Sequence, residues 1–457
     1  MSKVTILLHF CCLIVALTVS APLMAQTLQH VLELTYQNNP DLKVRRIQMR
    51  VADEQVPQAR SAMLPNISLT TNTALQSLEN FVPENAPGRD SQPSIFGVVL
   101  NQRIYDFGRT SNRVDAAISN ALAARTNIMA TEQQVLLNAA TQYANLVRDR
   151  ALVKLRSDNI TFVNSLLEDT RKWVREGFAT ETDVAQVEGQ IAAIEGNLIA
   201  LLTNVELTRE NFEQIVGVPP GELSDPLPYF STKPMSVDNA TNIALVEHPS
   251  VKSGNYYIDA AEQGVYAADS DLRPLLTFQF SYQRLQQQYS DIDDFQVTRA
   301  MVQLTLPIYD GGLSFARSRN ARELLAQRRA ELDVVRAQLN VTAQSAFANF
   351  DSAKDRIKKF QKQIEASKKS VDGMLVELKS GRSMRTISGV IAADATLFNA
   401  RSALINARRD YVVASYQILA VLGRMTAKNL RLNVALHDEA SHYREVNSEM
   451  FGTKIPD

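Results

Sequence analysis

What these 457 residues lack narrows the field. The only cysteines, Cys11 and Cys12, are adjacent and lie inside the first apolar run, so the chain beyond has no thiol. Disulfides, cysteine-ligated metals and cysteine nucleophiles are excluded from its body. Lys+Arg number 48 against Asp+Glu 49, a net charge of -1, so there is no electrostatic footprint for nucleic acid. Seventeen glycines and sixteen prolines are few for this length, and they sit at particular places rather than in low-complexity tracts. No stretch after the first run reaches the roughly 18 apolar residues that a spanning helix needs. His30, His248, His437 and His442 read as scattered surface residues without metal-ligand spacing. Phosphate-cradling glycine loops and nucleophile elbows are missing. No catalytic residue, cofactor or metal is expected, and the chain does not read as an enzyme.

The start of the chain reads as a secretory signal over 1–25. Lys3 supplies a minimal basic start, Val4 to Val19 is largely apolar, and Leu23-Met24-Ala25 offers a cut ahead of Gln26. Neither cysteine follows a small residue as a lipid-attachment cysteine usually does. An exported chain with no second hydrophobic span is either soluble or a closed β-barrel, since only helices and closed barrels satisfy their own backbone in lipid.

The remainder is written twice. Asn39-Pro40-Asp41-Leu42-Lys43 recurs as His248-Pro249-Ser250-Val251-Lys252, and Leu64-Pro65 as Arg273-Pro274. Ile104-Tyr105-Asp106-Phe107-Gly108 recurs as Ile308-Tyr309-Asp310-Gly311-Gly312. Gly177 answers to Gly381, and Ile215-Val216-Gly217 to Val421-Leu422-Gly423. The expected layout is a first repeat over 26–235 with a β-hairpin at about 65–105. A second repeat follows over 236–425 with a hairpin at about 274–309, then a polar tail over 426–457.

Each repeat has one grammar. A short helix anchored by Leu28, Leu32 and Tyr36, or by Val237, Ala240 and Ala244, comes first. Pro40 or Pro249 starts a second helix, which ends near Pro65 or Pro274; Pro57 is a candidate kink. Leu276-Thr277-Phe278-Gln279-Phe280-Ser281-Tyr282-Gln283 then alternates apolar and polar with period two. Its returning partner spans Ala300 to Leu306; in the first repeat the strands are Ile67 to Thr70 and Phe96 to Leu100. Polar loops at roughly 78–93 and 285–294 join them. Isolated hairpins between very long helices have no sheet of their own to join. They fit membrane-barrel strands, and four strands cannot close a pore, so several chains must share one barrel.

After Asp106 and Asp310, where Asp310 suits a helix cap, come the longest helices. Neither Asn112 to Trp173 nor Ser314 to Val371 contains proline or glycine. At 1.5 Å per residue each spans on the order of 90–100 Å, a coiled-coil length. The chain turns at Gly177 or Gly381 and returns to Gly217 or Gly423. Arg175, Glu176, Glu181 and Asp183 surround the first turn, and Lys379, Arg382 and Arg385 the second. Solvated helix tips explain such charges. Opposite signs also permit ion pairs between neighbouring hairpins, a weak latch that a partner can open.

These residues together resemble the TolC family of outer-membrane efflux and type I secretion channels. The resemblance covers nearly the whole chain after the signal. It rests on the duplicated proline-started helices, on Leu100 to Arg109 (LNQRIYDFGR), on Leu306-Pro307-Ile308-Tyr309-Asp310-Gly311-Gly312, and on Arg408 to Tyr416 (RRDYVVASY) ahead of Leu419 to Gly423. It implies a mixed α+β membrane protein: a homotrimer whose twelve-stranded transmembrane β-barrel, four strands per chain, continues as a long helical periplasmic barrel. It implies a passive, porin-like outer-membrane exit duct for drugs, toxic compounds or proteins, docked through a periplasmic adaptor (membrane fusion) protein to an inner-membrane pump of ABC or RND type. Outer-membrane lipid is the other expected partner. In the family an Asp past the first hairpin turn pairs with an Arg past the second and helps close the tunnel. Thr182-Asp183 and Arg385-Thr386 match those positions, making Asp183, Arg385 and Thr182 the expected periplasmic gate. Where the family often places aspartates after that Arg-Thr, this chain has Gly389 and Ala392, with Asp394 two further on, which argues against an acidic ring.

Two other readings compete. A periplasmic coiled-coil adaptor has one helical hairpin flanked by compact β-domains, and this chain has two hairpins and no such domains. A soluble coiled-coil structural protein leaves the alternation of Leu276–Gln283 unexplained.

Overall fold

The computed structural model describes residues 26–77, 90–289, 292–379, 386–438, 440–447 and 452–453. The expected signal at 1–25 therefore lies outside the described residues, as do Gly381, Arg382 and Arg385.

The first repeat opens with α1 (Leu28–Asn38), capped by Thr27, whose side chain accepts from His30 N; Leu28, Leu32 and Tyr36 are buried. Next is α2 (Pro40–Ser61), which starts at its proline and runs past Pro57 without breaking. Strands β1 (Asn66–Thr73), β2 (Gln76–Ser77), β3 (Asp90–Ser91) and β4 (Ser94–Tyr105) follow, then α3 (Arg109–Arg175) and α4 (Glu181–Val216). The second repeat supplies α5 (Val237–Glu247), α6 (Pro249–Asp269), β5 (Leu275–Tyr289), β6 (Ile292–Thr305), α7 (Leu313–Lys379) and α8 (Ile387–Val421). A short α9 (Ser441–Val446) completes the order.

Two expectations change. The polar segment 285–294 is mostly strand, because β5 continues to Tyr289 and β6 begins at Ile292. Arg284 Nε donates to both carboxylate oxygens of Asp294, at 3.1 and 2.9 Å, so charge pairing replaces the missing apolar alternation. The second change concerns apolar length. Helix α4 contains an 18-residue window of mean hydropathy 1.2, long and apolar enough by length and composition to cross a membrane, with only 6% of it buried. Apolar and acidic positions alternate around α4, so a search for an unbroken apolar run passes over it.

Each repeat turns from strand into long helix through two left-handed residues. Phe107 and Gly108 have φ of +53° and +89°, and Gly311 and Gly312 +72° and +85°. Phe107 is the costly one, since a side chain crowds that region; its ring rests 4.7 Å from that of Tyr105. Aspartate caps both helices: Thr110 N donates to Asp106 Oδ2 and Ser314 N to Asp310 Oδ2, each at 2.9 Å. Helices α3 and α7 are 67 residues each, so each is about 100 Å long at 1.5 Å per residue.

Compactness does not follow the repeats. One unit comprises the chain up to Pro40 with Glu132–Val237 and Ala343–Ala435; the other comprises Asp41–Thr131, Asp238–Thr342 and the chain from Leu436. A 67-residue helix cannot fold back on itself, so its two ends belong to different cores. In the first unit Val163 of α3 packs with Val187 and Ile194 of α4 and Ile387 of α8. The Tyr143 hydroxyl lies 2.7 Å from the carbonyl oxygens of Gln26 and Ser224, tying the chain after the signal to the linker that follows α4. In the second unit Val56 of α2 packs on Ala117 and Ala121 of α3, and Val251 of α6 on Leu332 and Leu339 of α7.

Helix α4 ends on Gly217, with φ +83°. A Cβ there would lie 2.9 Å from Asn38 Cβ. Gly217→Ala combines left-handed strain, about 1 kcal/mol, with that clash against α1. Its thermal midpoint by circular dichroism should fall well below that of the parent, whereas Gly196→Ala, with open space around it, should not fall.

Candidate functional site

The sheet holds the strongest functional signal. Its order is β1-β4-β5-β6, all antiparallel, which brings the hairpins of the two repeats together through β4 and β5. Registers such as Ile67↔Leu100, Leu100↔Phe280 and Phe280↔Ala300 place those four side chains in one row on one face. Leu69, Val98, Tyr282 and, two positions away, Phe278 and Val302 share that face. The opposite face carries Thr70, Asn101, Gln279, Ser281 and Gln303. Ile67, Leu69, Val302 and Leu304 are each more than 60% exposed, on strands that are otherwise well ordered in register. A soluble protein does not leave such a face open to water; a membrane does the covering. Both edges of the sheet, β1 and β6, are unpaired within the chain. Unsatisfied edge backbone is untenable in hydrocarbon.

At the far end of the helices the sequence expectation is met only in part. Asp183 is the third residue of α4 and completes a capping box with Thr180. Thr180 N and Oγ1 donate to Asp183 Oδ2 at 2.9 and 2.8 Å, and Asp183 N donates back to Thr180 Oγ1. Its carboxylate is thus a helix cap first. Thr182 is exposed beside it, and Arg385 lies outside the described residues. The signature of this cap, Thr-x-x-Asp, is visible in the sequence and explains the aspartate without a gate.

Asp394 faces the other way from the acidic ring of the resemblance. Its Oδ2 accepts from Asn159 Nδ2 at 2.6 Å, sewing α8 to α3. Beside it the Arg156 guanidinium stacks 3.6 Å from the centroid of Phe398. Burial raises the Asp394 carboxyl above its ordinary value; the Asn159 hydrogen bond and the charges of Arg401 and Arg156 offset this only in part.

A buried ionic cluster escaped the sequence reading altogether. Asp53 of α2 is fully buried, 2.7 Å from Arg125 Nη2 and 3.4 Å from His442 Nδ1. Tyr443 covers the guanidinium of Arg125 at 4.4 Å. His442 is therefore buried rather than at the surface, a correction, and the polar tail docks through α9. Nothing in the local pattern marks it, because the three partners lie 72 and 389 residues apart.

A sheet apolar on one face, polar on the other and open at both edges, set on helices too long for a globular core, defines the protomer of a membrane channel. Comparison with known proteins makes this specific. The chain belongs to the family described as outer membrane efflux protein, whose model matches twice, at residues 31–218 and 240–424. It is similar to the outer membrane efflux protein BepC of Brucella suis, 31% identical over 95% of this chain and 93% of that protein. It is also similar to the outer membrane protein TolC of Escherichia coli, 24% identical over 95% of this chain and 89% of that protein. Among solved structures, the Campylobacter jejuni CmeC outer membrane channel superposes with a TM-score of 0.76 at 16% identity, covering 93% of this chain and 90% of that one. The chain is thus an outer-membrane efflux protein of duplicated α+β fold, with its helices on the periplasmic side.

Two consequences can be measured. Asp53→Ala leaves the Arg125 charge buried and unpaired, a loss of about 3–5 kcal/mol. Limited proteolysis should then cut the tail near α9 in the variant but not in the parent. Asp394 has the opposite sign. Its pKa is raised in the fold, so its ionised form opposes folding once pH exceeds the unfolded value near 3.8. Asp394→Asn keeps the acceptor for Asn159, so it should raise the thermal midpoint at pH 7 and leave it unchanged at pH 3.

Proposed function

We propose that three copies of this chain close one twelve-stranded barrel and form the outer-membrane exit duct of a tripartite efflux or type I secretion system. The observation that carries this is the sheet: four strands, two free edges and one apolar face. Joining β6 of one copy to β1 of the next satisfies both edges and turns the polar face inward as a lumen. The family and the names of the relatives support outward transport. A periplasmic adaptor and an inner-membrane pump supply the cargo and the energy, while this chain conducts passively. The cargo is drugs and other toxic compounds, exported proteins, or both. Residues 1–25 act as the leader that takes the chain out of the cytoplasm.

The gate is part of the proposal. Asp183, with Thr182 beside it, closes the periplasmic end by pairing with Arg385 across neighbouring hairpins. Because the same carboxylate caps α4, the latch spends only the acceptor capacity that the cap leaves over. An exposed pair of this kind contributes about 0.2–1 kcal/mol, weak enough for a docking partner to break.

Native mass spectrometry of the detergent-purified protein should give three chains; a monomer would end the proposal. In planar bilayers Arg385→Ala and Asp183→Asn should both raise single-channel conductance. Unchanged conductance in both removes the latch and leaves the duct standing. Deleting the gene, then scoring drug sensitivity alongside secreted proteins, separates the two kinds of cargo.

A further inference from the structure

Within the unit that contains α4 and α8, two helices of one chain meet along a seam. There α8 lies on α3: Asn159 donates to Asp394, Arg156 stacks on Phe398, and Arg409 Nε donates to Asn145 Oδ1 at 2.7 Å. The duplication maps this seam onto another pair of helices. Helices α3 and α7 are both 67 residues long, from Arg109 and from Leu313, an offset of 204. Helices α4 and α8 are capped by Thr180 and Thr386, an offset of 206. Buried positions coincide under that offset, as with Phe212 and Ile418, both at 0% exposure, or Ile194 and Ala400. Asn159 then corresponds to Gln363 of α7, and Asp394 to Glu188 of α4.

The mapped face of α4 is open where that of α8 is covered. Val412 and Tyr416 are buried, but their counterparts Glu206 and Glu210 are exposed; Ile405 is half-buried, but Ile199 is 66% exposed. Each long helix already packs on its own return helix, as Thr208 Oγ1 bonded to Asp149 and Arg356 bonded to Asp410 show. What covers the α4 face must come from elsewhere.

Charge indicates what that is. Helix α4 carries seven acidic side chains against one basic, whereas α8 carries two against three. Glu188, Glu195, Glu206 and Glu213 recur at intervals of seven and eleven, close to whole helical turns, so they form one stripe. Residues 354–369 of α7 carry seven basic side chains against two acidic, where the corresponding 150–165 of α3 carries three against one. Thus the repeat that mates within the chain is nearly neutral, while the two faces left over have opposite signs.

We infer that α4 of one copy packs on α7 of a second copy in the register that α8 and α3 hold within one chain, the acidic stripe of α4 meeting the basic segment 354–369. This deepens the trimeric reading above and rests on it. An acidic face at one side of the chain and a basic face at the other make a head-to-tail contact, which closes into a ring rather than a two-fold dimer. The seam between copies is then electrostatic and screened by salt, while the seam inside the chain is not.

The test uses the scarcity of thiols. In a Cys11→Ser/Cys12→Ser background, Glu188→Cys combined with Gln363→Cys should oxidise to covalent two- and three-chain bands on non-reducing gels, and neither single variant should. Asn159→Cys with Asp394→Cys serves as the in-chain control and should form a disulfide without raising the mass. If the protein is trimeric by native mass spectrometry and the control oxidises, but Glu188→Cys/Gln363→Cys stays unlinked, the inferred register is wrong. If the protein is a monomer, the duct reading itself has failed. Intermolecular bands from the single variants would also overturn the register, since they would place like positions together.

Discussion

Everything in this molecule answers to a backbone that cannot go unpaired in hydrocarbon. One chain contributes four strands, with β1 and β6 left as edges. In water such edges are an aggregation hazard that proteins blunt with charge, proline or bulges. Here they are long and flanked by an apolar face, the opposite of blunting, because pairing with another copy is the purpose. Oligomerisation is therefore a condition of the fold being stable in its membrane at all.

The helices obey a different constraint. A 67-residue helix has too much surface to be covered by one partner, so each is served by a succession of shorter ones. Duplication solves this economically, since one pattern of helix, hairpin, long helix and return helix is used twice. It also breaks symmetry usefully. Seams within the chain are held by packing, stacking and buried polar pairs such as Asn159–Asp394, and by the Asp53–Arg125–His442 cluster. The faces of α4 and α7 that remain are charged and exposed. Buried pairs are costly to break once made, whereas exposed ones are weak and screened, so the chain is stiff inside and yielding at its margins.

That division bears on how a duct can be both closed and openable. The capping box at Thr180 and Asp183 holds the start of α4 whatever the state of the tip. An aspartate with a structural duty can still offer a remaining lone pair to an arginine, and the weakness of such a contact is what a reversible closure requires. The Asp394 carboxyl, by contrast, is committed to α3 and is raised by its burial, so it belongs to the rigid part.

Much of this was legible in residue order. Paired prolines, the alternation at Leu276–Gln283, glycine at the turns and long stretches free of both glycine and proline define the elements, because each depends on local backbone chemistry. The repeat itself, and with it the family, needs no coordinates. Local pattern failed where charge stood in for apolar residues, as in the strand through Gln286 held by Arg284 and Asp294. It failed also where partners are remote: no spacing rule joins Asp53 to His442 or Asn159 to Asp394. Only tertiary structure decided which acidic residues are caps, which are buried ties and which face outward, because side-chain burial depends on what the rest of the chain brings alongside.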